Sequence, residues 1–116
     1  MSRLYNILDA LVNRTGISST SVSSTYGTLW LFKDNSTNTV RAYGYARSGS
    51  NINLDTALFT VPSGYRPSSL ATIPMTIAVD SGAIAAYYGY VFTNGEVKQH
   101  LSGYAREISI FAEWKV

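Results

Sequence analysis

Cysteine is absent from this 116-residue chain, which excludes disulfides, a thiolate nucleophile and any cysteine-ligated metal. Charge is scarce as well: 14% of residues are charged, and nine basic against seven acidic side chains leave +2. A balance so small and so dispersed gives no electrostatic footprint for nucleic acid. No stretch approaches the roughly 20 consecutive apolar residues that a membrane-spanning helix requires. The N-terminal apolar run is short and broken by Asn6, Asp9 and Asn13, which does not read as a signal peptide. Histidine occurs once, as His100, and no motif supplies it with a nucleophile or an orienting partner. The seven acidic residues show neither a carboxylate dyad nor a calcium-loop spacing. The glycine-rich pieces match no phosphate-cradling pattern. The chain is therefore read as non-catalytic, with no cofactor and no metal.

What the sequence does have is ring-bearing side chains. Aromatics make up 13% of it, nine of them tyrosine. Against a background of serine, threonine, asparagine and glycine, this is the chemistry of adaptable contact surfaces. The length suits one domain with a real core.

Three segments are expected. Residues 1–16 read as a short helix, because Leu4, Ile7, Leu8, Leu11 and Val12 recur at i, i+3, i+4 and i+7. Leu4, Ile7 and Leu11 also fall on successive heptad core positions, so the helix packs either on its own domain or on copies of itself. Residues 17–25, rich in Ser and Thr, read as a linker. Residues 26–116 read as an all-β head.

Within the head, Tyr26–Lys33 sets Trp30 and Phe32 on one face and Leu29 and Leu31 on the other. A strand apolar on both faces is buried on both sides, so all four residues are assigned to a subunit interface. A turn at residues 34–38 makes a hairpin with Thr39–Arg47, whose outward face carries Arg41, Tyr43, Tyr45 and Arg47. Residues 48–53 read as a polar loop. Pro62 and Gly64 form a turn that requires φ > 0 at the glycine. The corner from Pro62 to Pro67 reads as a crossing between sheets. Pro74 places the strand 70–79 at an edge or a bulge. Asp80-Ser81-Gly82 turns the chain into residues 84–93, and Asn94-Gly95 signals the next hairpin. Residues 106–116 alternate cleanly, with Phe111 alone breaking the polar side. About seven or eight short strands with frequent turns imply an antiparallel sandwich or jelly-roll-like barrel with a short N-terminal α-helix.

Two tyrosines and two arginines alternating on one strand suit a saccharide: flat rings cover C–H surfaces, and guanidinium forks bind hydroxyl or phosphate oxygens. Tyr88 and His100 are added to this candidate ligand set. The same side chains also suit a buried contact between subunits, and both readings stay open at this level.

The strings TVPSGYRPSS and NGEVKQHLSGYAREISIFAEWKV resemble the C-terminal head domain of bacteriophage and prophage tail-fibre or receptor-binding proteins. There a GYRP corner precedes a strand, a hairpin and a last strand. The resemblance covers about residues 57 to 116. It implies a homotrimeric adhesion head that recognises a bacterial cell-surface saccharide and contacts other virion tail proteins. It implies a place on the virion, extracellular in use and made in the bacterial cytoplasm, without nucleic-acid binding or membrane insertion. The alternatives are a purely structural fibre-tip or adaptor part, and a small lectin or enzyme.

Overall fold

The computed structural model describes residues 16–53, 55–79, 83–100 and 105–116. Among these, every regular element is a strand: β1 Ile17–Ser23, β2 Gly27–Asp34, β3 Thr39–Ile52, β4 Phe59–Thr60, β5 Ala71–Val79, β6 Ile84–Val91, β7 Glu96–Gln99 and β8 Ala105–Lys115. All pairings are antiparallel, in one sheet of order β1-β2-β3-β8-β5-β6-β7-β4. The sheet curls until its edges β1 and β4 approach each other, giving a nearly closed barrel. The all-β expectation holds. Strands β5, β6 and β7 follow one another by hairpin pairing, and β4 returns beside β7, which is a Greek-key arrangement.

Period-two alternation makes the interior. Leu29 and Leu31 of β2, Val40, Ala42 and Ala46 of β3, and Ile108, Ile110, Ala112 and Trp114 of β8 all point inward and are buried. From the other half come Ile73, Met75, Ile77, Val91 and Val97. Leu29 and Leu31 thus fill the chain's own core. This corrects their assignment to a subunit interface, because a side chain without exposed surface has no partner to gain. Gln99 is buried among these apolar groups, and its Nε2 donates to the Ile52 carbonyl at 3.1 Å. That bond offsets the desolvation of the amide.

Three further expectations are corrected. Residues 17–23 of the expected linker are strand β1, paired along its whole length with β2 from Ile17↔Asp34 to Ser23↔Thr28. The polar loop expected at 48–53 is largely the continuation of β3, which runs to Ile52 through an irregularity after Arg47. Pro74 lies in an interior strand, between β6 and β8. It pairs with Tyr88, while the β8 ladder begins one residue later at Met75↔Ile110. A proline is tolerated at the margin of a ladder, where no N–H is needed on that side. The expected helix with Leu4, Ile7 and Leu11, and the turn at residues 80–82, lie outside the described residues.

The corner is formed as expected at Gly64, with φ 94° and the Tyr65 N–H donating to the Pro62 carbonyl at 3.1 Å. It joins edge strand β4 to interior strand β5 of the same sheet, which corrects the expected crossing between sheets: the single sheet curls on itself, so the chain changes strand without leaving it. Trp114 Nε1 donates to the Tyr65 carbonyl at 2.8 Å, and Arg66 Nε donates to the Val61 carbonyl at 2.8 Å. The Asn94-Gly95 hairpin closes with a three-residue loop: Gly95 N–H donates to Phe92 and Phe92 N–H to the Glu96 carbonyl, both at 2.9 Å. Gly95, at φ 94°, takes the left-handed position such a loop requires.

Candidate ligand-binding face

Pairing registers decide what the outer surface of the barrel carries. Trp30 pairs with Tyr43 and Phe32 with Arg41 across β2 and β3. Tyr43 pairs with Phe111, Arg41 with Glu113 and Arg47 with Glu107 across β3 and β8. Alternation turns these side chains outward because Leu29, Leu31, Ala42, Ile110 and Ala112 between them point into the core. The proposed strip Arg41, Tyr43, Tyr45 and Arg47 is therefore real as a face, and the small residues of β3 do pack inward.

The rings form a chain. Phe32 meets Tyr43 edge to face at 5.8 Å between centroids, and Tyr43 meets Phe111 edge to face at 4.8 Å. Trp30 lies 6.3 Å from Tyr45 at a tilt of 43°. These rings remain in water's reach: Trp30 is 43% exposed, Phe32 41% and Phe111 71%. Trp30 and Phe32 share the face of the arginines and tyrosines. The ligand strip and the aromatic part of the expected interface are thus one surface.

Each arginine has a carboxylate. Arg41 Nε lies 3.3 Å from Glu113 Oε2, and Arg47 Nε 3.3 Å from Glu107 Oε1, with all four side chains more than half exposed. Lys115 Nζ donates to Thr39 Oγ1 at 2.7 Å and to the Thr37 carbonyl at 3.3 Å. Asp34 accepts from the Ser36 hydroxyl at 2.6 Å and from the Ser36 N–H at 3.0 Å. These bonds favour the charged form and hold its carboxyl below the ordinary value of 3.8.

Tyr88 and His100 form a second cluster on the same outer surface. Their rings stack at 4.7 Å, and Tyr90 stands edge-on to both, 5.8 Å from Tyr88 and 5.4 Å from His100. Partial desolvation, and then Tyr90, raises the Tyr88 phenol above its ordinary 10.0. Tyr88 is separated from Tyr43 by β8 and β5, three strand steps or about 14 Å along the sheet. Phe111 and Pro74 sit between the clusters at the same level, because Met75 pairs with Ile110 and Pro74 with Tyr88. The structure joins Arg41, Tyr43, Tyr45 and Arg47 and keeps Tyr88 and His100 apart from them.

Two open hollows flank Tyr43. One, of about 580 Å³, is lined by Phe32, Asp34, Thr39 and Lys115; the other, of about 510 Å³, by Pro74 and Phe111. Arg41, Tyr43 and Glu113 line both. Sequence reading missed Glu107, Glu113, Phe111, Asp34 and Lys115 as members of this face. One signal was present: Glu107 and Glu113 repeat the six-residue interval of Arg41 and Arg47.

Among the described residues, no group of three or more His, Asp or Glu side chains is placed to hold a metal ion. No protein-family model matches this chain, and neither does any curated protein sequence.

Proposed function

We propose that this chain is the receptor-binding head of a phage-type tail fibre or baseplate tip. It is non-catalytic and trimeric, and it binds a saccharide of the bacterial cell surface. One observation carries the reading: an exposed run of rings, Phe32, Tyr43 and Phe111 with Trp30 and Tyr45 beside them, flanked by two arginine–glutamate pairs. Rigid rings with donors and acceptors at their margin suit sugars, which offer C–H faces and hydroxyls together. The resemblance of residues 57 to 116 to tail-fibre heads supports the virion setting. Leu4, Ile7 and Leu11, by their heptad spacing in the sequence, supply the proposed contact between copies.

Arg41→Ala combined with Tyr45→Ala tests the reading. Both residues are exposed, so stability should change by less than about 0.5 kcal/mol, while adsorption to cells and glycan-array binding are lost. Light scattering of the wild type should give three times the monomer mass.

A second reading has its own support. Phe111, 71% exposed and packed edge-on against Tyr43, suits a protein partner, and a structural fibre-tip or adaptor part would bury it. Dissociation of the trimer by the same double change would favour that reading and make these residues interfacial.

A further inference from the structure

We infer that the two hollows beside Tyr43 are adjoining subsites of one groove for an uncharged oligosaccharide, which crosses the strands from β2 towards β5. The inference rests on the saccharide reading above and specifies the charge, length and direction of the ligand.

Continuity is the first ground. Arg41, Tyr43 and Glu113 form a wall common to both hollows. Ile17 and Phe32 bound the first on the β1–β2 side, and Pro74 bounds the second on the β5 side. A cavity of about 150 Å³ already admits one six-membered ring. Hollows of about 580 and 510 Å³ therefore each take at least one pyranose, with Tyr43 between them. The rings Phe32, Tyr43 and Phe111 follow one another along the same line, so a chain laid there meets an aromatic surface at each step.

Charge is the second ground. Arg41, Arg47 and Lys115 on this face are matched in number by Asp34, Glu107 and Glu113. A phosphate or carboxylate brought to Arg41 would meet the Glu113 carboxylate, which lies 3.3 Å from the Arg41 Nε. A cationic sugar would meet the guanidinium. A neutral polyol suits both partners at once. Glu113 takes the Nε hydrogen of Arg41, so the other four of the guanidinium's five N–H donors stay available to hydroxyl oxygens. The Glu113 carboxylate accepts from an adjacent hydroxyl. Neighbouring donor and acceptor are the complement of a vicinal diol.

The test uses the full chain and isothermal titration with defined neutral oligosaccharides of one to six residues, built from glucose, galactose, rhamnose or N-acetylglucosamine. The same sugars carrying phosphate or a uronate form a second series. At least one neutral ladder should bind, its affinity rising about tenfold or more from one residue to three, as a second subsite fills. Affinity should be the same at low and high salt, because no net charge is neutralised. Phe111→Ala should abolish the gain in affinity with chain length. Glu113→Gln should weaken neutral ligands and improve the phosphorylated ones. Binding confined to the anionic series, or monosaccharides binding as well as trimers, would overturn the neutral two-subsite groove and leave the saccharide reading standing. Absence of binding to either series would overturn both.

Discussion

Gly64 and Gly95 share a backbone angle and differ in their surroundings, which makes them a controlled pair. Both have φ 94°, so alanine at either position suffers the left-handed strain of an L-residue, about 1–2 kcal/mol. A Cβ at Gly64 would meet nothing within 4 Å. A Cβ at Gly95 would run into the Val61 carbonyl oxygen and come within 2.8 Å of Arg66 Nε. Val61 cannot easily recede. It is fully buried, its N–H donates to the Gly95 carbonyl at 2.8 Å, and its own carbonyl accepts from Arg66 Nε. Relief of the clash therefore loosens two hydrogen bonds, each worth about 1 kcal/mol, or strains the core by a similar amount. Gly64→Ala should destabilise by about 1 kcal/mol and Gly95→Ala by about 3–4 kcal/mol, summing these contributions. Urea denaturation with a shared m-value measures both. If the two variants lie within about 0.5 kcal/mol, less than one hydrogen bond, β4 is not pinned to the 92–96 hairpin and the argument fails.

Two more outcomes are expected. Trp114→Phe removes the indole N–H that satisfies the Tyr65 carbonyl and shrinks a buried side chain, so it should cost about 2–3 kcal/mol; a loss below about 0.5 kcal/mol would mean water replaces the bond freely. Asp34 has a folded-state pKa below its ordinary value, so its contribution is present at neutral pH and is lost as pH falls through the folded value. Asp34→Ala should therefore be less stable than wild type near neutrality, with the difference vanishing in strong acid, as followed by thermal melts across pH; a constant difference would sink the titration argument.

How far the sequence discloses this structure depends on whether the information is local. The β2–β3 hairpin, the clean alternation of β8 and the Gly64 turn were legible, because each follows from neighbouring side chains and from the conformational freedom of one residue. Strand β1 was not. Its side chains alternate only between exposed and half-exposed, so little hydrophobic patterning marks it, and what holds it is the backbone ladder to β2. Pro74 misled for a related reason: the rule against proline in interior strands concerns a missing ladder bond, and the β8 ladder starts only at Met75.

The candidate site was half legible, and the missing half lies in one register. Period-two alternation keeps the faces of β3 and β8 correct under any even slip, so the hydrophobic pattern alone cannot choose among such slips. A slip of two residues in one direction would set Arg41 against Lys115, and in the other against Phe111, as counted from the observed pairs. Only the observed register opposes both arginines with glutamates, because the two pairs share one interval along their strands. Exposed pairs of this kind contribute about 0–1 kcal/mol each. That is too little to hold the barrel together, yet enough to separate registers that bury the same core. The pairing that selects the register also cancels the charge beside Tyr43. The glutamates that β8 brings across turn a strip that reads as cationic on β3 alone into a balanced face.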